Sequence, residues 1–552
     1  MLRRTLLILM LFGLASCGQE PAGGDNIFSQ LGGYQHLPGF FDLYWDDDQG
    51  RLIVEIDKLE EKFLYQSSMA RGVGSNDIGL DRGQLGSTKV VWFQRAGPKI
   101  LMIEENLDYR ADSGNPDELA AVAESFATSV IWGFEVLGER QGSWFVDGTE
   151  FLIRDAHSIS QRLANIEEGT FTLDASRSAI YMPMTKSFPD NSEMEAIVTF
   201  TGQATGRYLS SVIPDRQTVS VHLHHSFIRL PDDGYEPVPL DPRSGFFGRT
   251  FQDYATPVGE SLRVSYAARH RLEKVNPMAE TSDAVEPIIY YVDRGAPEPI
   301  RTALIEGAEW WNQAFEAAGY RNAFQVELLP ASADPMDVRY NIIQWVHRAT
   351  RGWSYGSSIA DPRTGEIMKG KVTLGSLRVR QDYLIAEGLL APYDDEEKPD
   401  VMLDMALARI RQLSAHEVGH TLGIQHNMAA STQGRASVMD YPHPLIRIDD
   451  DGNIDLSDAY DDGIGEWDER VVLWGYQDFL EGVDRQAARD QIMAETIDAG
   501  LVYVSDPDSR PVSSSNPLGN LWDNGADSIE ELAQLLRVRT IAMRKFTAEN
   551  IR

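Results

Sequence analysis

Short apolar runs separated by polar residues recur along much of the first half of the chain. The segments RLIVEID, KFLYQSS, SWFVDGTEFLIRD and TVSVHLHHSFIRL are rich in β-branched and aromatic residues, and glycine, proline and aspartate lie between them. This pattern is typical of β-strands joined by turns. KVVWFQRAGPKILMIEEN predicts a hairpin about Ala96-Gly97-Pro98. We therefore interpret residues 39–275 as one β-rich N-terminal domain.

The periodicity changes after residue 280. IIYYVD predicts a strand, and the apolar positions from Pro299 to Ala318 recur at the spacing of an amphipathic helix. FQVELLP, NIIQWVH and both halves of GSSIADPRTGEIMKGKVTLG predict further strands. A second helix is predicted to begin with Asp400 as its cap and to run through VMLDMALARIRQLSAHEVGHTLG. The order strand, helix, strands, helix indicates an α/β domain over residues 280–482.

Two helical patterns and a loop rich in serine, proline and asparagine make up residues 483–552. We expect a mainly helical or irregular C-terminal region there. The whole chain is thus predicted to be an α+β multidomain protein, which agrees with its length of 552 residues and its 42% apolar and 24% charged content.

The N-terminus predicts export. Two arginines precede an apolar run that is too short to span a bilayer, so residues 1–16 are interpreted as a signal peptide. Leu14-Ala15-Ser16-Cys17 resembles a bacterial lipobox, which implies lipidation of Cys17, the one cysteine of the chain. Gly18 follows in place of the aspartate associated with inner-membrane retention, which favours the outer membrane. Residues 17–38, rich in glycine, are interpreted as a lipid-anchored tether.

The charge balance of the chain indicates which kinds of partner are disfavoured. With 50 Lys+Arg against 84 Asp+Glu, the net charge is −34, which disfavours nucleic acid and any electrostatic binding to anionic lipid. Contact with the membrane is therefore expected through the N-terminal lipid alone. The sequence leaves the oligomeric state open.

Three of the eleven histidines lie within HEVGHTLGIQH, residues 416–426. On a helix, His416 and His420 project from one face, at a spacing that suits two imidazole ligands of one zinc ion. Glu417 lies beside the first ligand and can act as the base for a zinc-bound water. Gly423 permits a positive φ, so that the chain can leave the helix and bring His426 back as a third ligand. The pattern predicts a Zn²⁺ site.

The sequence SVMDY follows shortly after, at residues 437–441. HExxHxxGxxH followed by a methionine turn resembles the metzincin zinc metallopeptidases. That resemblance implies that Met439 is an apolar floor beneath the metal. It also implies that Tyr441 stabilises the oxyanion of the reaction, and that GSSIA is the edge strand on which an extended peptide lies.

More narrowly, the lipobox, the β-rich domain with LDPRSGFFGR and RHRLEK, and the later DDGIGEWDERVVLWGY resemble a family of bacterial lipoprotein zinc-dependent metalloproteases whose N-terminal domain is uncharacterised. The resemblance implies a longer helical region at the C-terminus, so residues 483–552 are expected to represent it incompletely.

These observations predict a zinc metalloendopeptidase that hydrolyses a peptide or protein substrate, with Glu417 assisting the attack of a zinc-bound water. Two alternatives stay open: a non-enzymatic surface lipoprotein with a structural zinc site, and a zinc hydrolase acting on a non-peptide amide. Cleavage specificity and the role of the N-terminal domain are not given by the sequence.

Two further segments are weighed as cation sites. HLHH, residues 222–225, places His222 and His224 on one face of a strand and His225 on the other, and a strand pair is favoured over a second metal site. RIDDDGNIDLSD has Arg447 at the first ligand position of a calcium loop, so an acidic β-turn is favoured.

Overall fold

The computed structural model of the protein describes residues 27–350, 352–391, 400–514 and 516–546. Strands dominate as far as residue 267, as the segments rich in β-branched and aromatic residues predict. They are β1 (Gln35–Leu37), β2 (Leu43–Asp46), β3 (Arg51–Ile56), β4 (Lys62–Arg71), β5 (Lys89–Ala96), β6 (Lys99–Glu104), β7 (Tyr109–Arg110), β8 (Ser129–Arg140), β9 (Ser143–Asp147), β10 (Gly169–Leu173), β11 (Ala179–Ile180), β12 (Lys186–Ser187), β13 (Asn191–Ala204), β14 (Thr218–Arg229), β15 (Gly248–Asp253) and β16 (Arg263–Ala267).

Most of these strands form one large antiparallel sheet. Its order is β1-β2-β3-β9-β8-β6-β5-β4-β14-β13-β10, with β11 and β12 also paired to β13. The hairpin of β5 and β6 turns at Gly97, which confirms the predicted position of that turn. The curved sheet encloses an apolar core that includes Phe41, Phe63, Phe93 and Phe151. A smaller sheet has the order β16-β15-β7.

Part of the predicted tether is folded. Ile27 and Leu31 are buried and pack with Tyr44, Ile53 and Phe145 of the large sheet. The prediction of a tether is therefore wrong for residues 27–38. Their few apolar side chains pack on the sheet despite the neighbouring glycines, and β1 pairs with β2 as one of its strands. The predicted signal peptide and Cys17 lie outside the described residues.

The second half of the chain contains shorter strands. They are β17 (Ser282–Asp283), β18 (Ile288–Val292), β19 (Tyr320–Arg321), β20 (Phe324–Leu328), β21 (Asn341–Val346), β22 (Tyr355–Ala360), β23 (Ile367–Gly375), β24 (Arg447–Ile448) and β25 (Ile454–Asp455). Five of them form a sheet with the order β20-β18-β21-β23-β22, in which β22 is an edge strand antiparallel to β23. The segment RIDDDGNIDLSD forms the hairpin of β24 and β25 with Gly452 in its turn, which confirms the β-turn interpretation.

The helices are concentrated towards the C-terminus. They are α1 (Ile27–Gln30), α2 (Pro116–Ser125), α3 (Thr149–Leu152), α4 (Ile159–Asn165), α5 (Arg207–Val212), α6 (Ile300–Glu309), α7 (Trp311–Ala317), α8 (Leu377–Leu390), α9 (Val401–Thr421), α10 (Glu466–Tyr476), α11 (Arg485–Asp498), α12 (Asp506–Ser509) and α13 (Ser528–Lys545). Short 3₁₀ segments occur at Leu31–Gly33, Ala175–Arg177, Met182–Met184 and Ala430–Gln433.

Two details of the predicted helices differ from the structure. The single helix expected over residues 299–318 is divided at Trp310 into α6 and α7. Helix α9 begins after Asp400 as predicted, but the Asp400 side chain makes no capping hydrogen bond. Both Trp310 and Trp311 are buried, so the division lets two large side chains enter the core where a straight helix would bury one fully.

Helices α6, α7, α9 and α10 pack together in a second apolar core with the five-stranded sheet. Trp311 donates its indole N–H to the Ala415 carbonyl at 2.7 Å, which fixes α9 against α7 one residue before His416. Phe246 and Ala267, from the preceding β-rich region, also belong to this core. The described part of the chain is therefore a β-rich N-terminal region followed by a largely helical C-terminal region. None of its helices is both long and apolar enough to cross a membrane.

Candidate metal centre

The histidine motif occupies the last turns of α9 and the loop that follows. His416 and Glu417 are buried, with 3% and 4% of their surfaces exposed, so both side chains lie in the interior of the protein. Buried polar side chains of this kind need partners to be stable. The contacts of each imidazole therefore indicate what the cluster can bind.

Gly423 ends the helix with a φ of +97°. A β-carbon at this position would lie 1.8 Å from the Ala268 carbonyl oxygen, so both conformation and space require glycine. The turn is held by Phe247, which donates its backbone N–H to the Gly423 carbonyl at 2.7 Å. Beyond the turn, the chain brings His426 back beside His420.

All three imidazoles use Nδ1 for a hydrogen bond to the protein. His416 Nδ1 is 2.8 Å from the Val438 carbonyl, and His420 Nδ1 is 2.8 Å from the Ile424 carbonyl. His426 Nδ1 is 2.6 Å from Asp506 Oδ2. Because a neutral imidazole that donates from Nδ1 has its lone pair on Nε2, each ring presents Nε2 as the free ligand atom.

These ligand atoms converge. His420 Nε2 and His426 Nε2 are 3.0 Å apart, and one nitrogen from each of the three histidines lies within 4.8 Å of the others. Among the described residues, no other histidine, cysteine or acidic side chains form a group of three or more whose ligand atoms lie this close together. Three neutral imidazoles with a position left open for water fit zinc in a catalytic type of site.

The electrostatics favour neutral ligands. Burial, helped by the neighbouring His426, lowers the pKa of His420 to about 3. Burial also holds the pKa of His416 well below its usual value, with the other two histidines acting in the same direction. A metal ion binds the neutral form of imidazole, so the site is prepared for a cation before one binds.

Glu417 lies beside the strand that forms the edge of the sheet. Burial raises the pKa of Glu417 to about 8, against the lowering effects of Arg409 and of the Gly356 backbone N–H. A β-carbon at Gly356 would lie 2.1 Å from the Glu417 carbonyl oxygen, so β22 can approach α9 only with glycine there. A carboxyl group with a pKa near neutrality can both accept and donate a proton.

The SVMDY segment forms a turn beneath α9. Met439 is fully buried, and its sulfur lies against Gly419, between the two helical histidines. Asp468 holds the turn, since it accepts hydrogen bonds from Ser437 Oγ at 2.6 Å and from the Val438 N–H at 2.8 Å. Val438 is also the residue whose carbonyl holds His416, so Asp468 supports the first ligand indirectly.

Tyr441 lies over the histidines. Its ring centroid is 4.5 Å from that of His426 and 5.3 Å from that of His416. Burial raises the pKa of Tyr441 to about 12, so its hydroxyl stays protonated at neutral pH and can donate a hydrogen bond. The structure therefore brings Tyr441 to the three histidines, as the resemblance implies.

Three features of the site were not predicted. Asp506 contacts His426 from a segment that carries no recognisable signature in the sequence. Phe247, from the β-rich region, lies 5.9 Å from His420 between ring centroids and is 43% exposed. Trp522 lies 5.4 Å from Tyr441 and is 49% exposed. Sequence patterns are local, whereas these contacts join residues about 80 to 170 positions apart.

The HLHH segment shows a different arrangement. His222 Nδ1 is 2.6 Å from Glu195 Oε1, and His224 Nε2 is 2.5 Å from Glu193 Oε2. These acidic partners were not predicted, because the glutamates lie on the neighbouring strand β13. His225 faces the other side of the sheet and contacts the Tyr65 hydroxyl at 2.9 Å. The predicted division of the histidines between two faces is confirmed.

Comparison with known families supports these observations. Residues 398–552 match the family model described as Met-zincin, and residues 83–275 match a domain of unknown function, DUF5117. No curated protein and no solved structure matches the chain. The Met-zincin match includes all three histidines and the methionine turn, so residues 398–552 are of the metzincin type, which indicates a zinc metallopeptidase in general.

Proposed function

We propose that this protein is a zinc-dependent endopeptidase whose catalytic unit has a metzincin-like fold. The observation that carries the proposal is the convergence of one nitrogen from each of three histidines, with the buried Glu417 beside them. A structural zinc site is usually closed by four protein ligands, and the described residues contribute a group of three. A carboxyl group with a raised pKa is also not needed at a structural site.

His416, His420 and His426 would hold the ion. When bound, zinc would polarise a substrate carbonyl and make a nearby water more acidic. Glu417 removes a proton from the attacking water and then donates a proton to the departing amine, as its pKa near neutrality permits. Tyr441 donates a hydrogen bond to the oxygen that becomes negatively charged.

The edge strand β22 is suited to bind substrate. Among the described residues it pairs only with β23, so an extended peptide can add to its other edge as a further strand. Gly356 in this strand contacts Glu417, so a peptide bound there would run past the catalytic residues. Phe247, beside His420, and Trp522, beside Tyr441, expose apolar rings that would contact the substrate's side chains.

The proposed place of action is outside the cytoplasm. The signal-like residues 1–16 and the lipobox-like sequence that ends at Cys17 support export and lipid anchoring, with the outer membrane favoured by Gly18. A peptide or protein is the proposed partner, and the net charge of −34 disfavours nucleic acid.

The substitution Glu417→Gln tests the proposal. Glutamine keeps the shape of the side chain but cannot accept the proton, so hydrolysis of a casein-type substrate should fall about 10²–10⁴-fold. Zinc content after dialysis should stay at the level of the unaltered protein, since Glu417 is not a ligand. Glu309→Gln on the exposed side of α6 is the matched control and should keep full activity. Unchanged cleavage by the Glu417 variant, or cleavage that persists with a chelator, would contradict the proposal.

A further inference from the structure

The third histidine differs from the other two in its surroundings. His416 and His420 are held by the rigid helix α9, and each donates Nδ1–H to a nearby backbone carbonyl. His426 lies in the loop beyond Gly423, outside any helix or strand. Its ring therefore depends on other parts of the chain for its orientation.

A segment about 80 residues later provides this support. Val502 and Val504 lie beside the residues that follow His426. Val502 accepts a hydrogen bond from Asn427 Nδ2 at 3.0 Å, and the Val504 N–H donates to Asn427 Oδ1 at 3.1 Å. The Met428 N–H donates to the Val504 carbonyl at 2.9 Å. These bonds fix residues 502–506, which we call the support segment, beside the loop that carries the third ligand.

Asp506 lies at the end of the support segment, and both of its carboxylate oxygens are bonded. Oδ2 accepts from His426 Nδ1 at 2.6 Å, and Oδ1 accepts from Arg510 Nη1 at 2.8 Å. The bond to Arg510 directs the carboxylate towards His426. The guanidinium carbon of Arg510 also lies 5.6 Å from the centre of the Tyr441 ring, so one pair of charges contacts both the third ligand and Tyr441.

We propose that Asp506 is the positioning residue of the metal centre, and the inference rests on the proposed zinc site. An ionised carboxylate can only accept, so Nδ1 of His426 must carry the proton and Nε2 must present its lone pair to the metal. The negative charge also makes the imidazole a stronger ligand. Partners of this kind change metal affinity about 10–100-fold when they are removed. The C-terminal region thus contributes directly to the site although it supplies no ligand.

The test measures binding of Zn²⁺ alone to the full chain, by competition with a chromophoric chelator. Asp506→Asn keeps the size of the side chain but loses the charge, and the zinc dissociation constant should rise about 10–100-fold. The matched control is Asp508→Asn, in the same short helix α12, whose carboxylate accepts a hydrogen bond from Ser505 Oγ. Its zinc affinity should equal that of the unaltered protein.

Two further measurements separate positioning from folding. Arg510→Gln should weaken zinc binding less than Asp506→Asn, because the carboxylate that holds His426 is still present. Thermal unfolding of the metal-free proteins should differ little between Asp506→Asn and Asp508→Asn. The inference is overturned if Asp506→Asn binds zinc within about twofold of the unaltered protein, or if Asp508→Asn loses as much affinity. If the unaltered protein itself binds no zinc, the proposed function fails instead.

Discussion

Two groups of histidines in this chain differ in what surrounds them. In the group formed by His416, His420 and His426, each ring uses Nδ1 for one fixed acceptor, and the Nε2 atoms point towards one another. On strand β14, His222 Nδ1 and His224 Nε2 each bond a glutamate of β13, and among the described residues these side chains do not form a group with the spacing of metal ligands.

The same contrast appears in protonation. Burial, helped by the neighbouring imidazole, lowers the pKa of His420 to about 3. Burial would also lower the pKa of His224, but Glu193 and Glu195 raise it to about 9. His416 and His420 are neutral and can bind a cation, whereas His224 is itself a cation at neutral pH. Several histidines close together in the sequence therefore do not by themselves identify a metal site.

The largest expected difference between the groups is in metal content. His420→Ala removes one of three ligands, and the zinc content after dialysis should fall from about one equivalent to near zero. His224→Ala should leave the zinc content unchanged, since His224 bonds Glu193 and does not belong to the group of three histidines. Elemental analysis of both variants gives the answer. Equal zinc loss in the two variants would mean that the groups do not differ as described.

A second prediction concerns the turn that brings His426 back. Gly423→Ala forces a side chain into a position with a φ of +97° and against the Ala268 carbonyl. The free energy of unfolding should fall by about 2–5 kcal/mol, measured by denaturant titration. Gly434→Ala in the same loop is the control, because Gly434 has a φ of +71° but no atom within 4 Å of the new carbon. It should cost only about 1–2 kcal/mol. Equal losses of unfolding free energy in the two variants would show that the close approach of the Ala268 carbonyl to Gly423 does not affect stability.

The third prediction concerns the support beneath His416. Asp468 is fully buried and accepts from Ser437 Oγ, the Val438 N–H and the Gly465 N–H. Asp468→Ala leaves these buried donors without partners and should lower the free energy of unfolding by about 2–4 kcal/mol. Ser437→Ala removes only one donor and should cost about 1 kcal/mol. Denaturant unfolding compares the two, and a smaller loss for Asp468→Ala than for Ser437→Ala would contradict this account.

The smallest expected effect is the pH dependence due to His224. Since the folded pKa is raised to about 9 from an ordinary value of 6.5, its stabilising effect is complete below pH 6.5 and is lost as pH rises through about 9. His224→Gln should lower the free energy of unfolding by about 1–2 kcal/mol at pH 6 and by little at pH 10. Lys369 and Lys371 line the same cavity as His224. Both lysines are present in the variant and in the unaltered protein, so their contributions cancel in the comparison. A difference that is the same at every pH would contradict the raised pKa.

Several structural elements could be predicted from the sequence because the patterns that indicate them are local. The helical spacing of His416 and His420, the glycine that ends the helix, and the turn between β5 and β6 each depend on residues within a few positions of one another. The strands of the five-stranded sheet were predicted by composition, and the edge position of β22 by resemblance to the metzincins.

Other features could not be read from the pattern. Residues 27–38 appeared to be a tether, because a few apolar side chains in a glycine-rich segment give no periodic signal, although they bury Ile27 and Leu31 against the large sheet. The glutamates that bond His222 and His224 were missed, because strand pairing decides which side chains face each other across a sheet.

The sequence by itself determined the chemistry of this protein: two histidines one helical turn apart, a glutamate beside the first, and a glycine and a third histidine at a spacing that returns the chain to the same point. Only the tertiary structure decided which nitrogen each histidine presents, because the partners Val438, Ile424 and Asp506 depend on how the chain folds back. It also decided that Phe247 and Trp522 border the site. Metal ligands are set by short-range spacing, whereas their orientation is set by hydrogen bonds that only the folded chain can make.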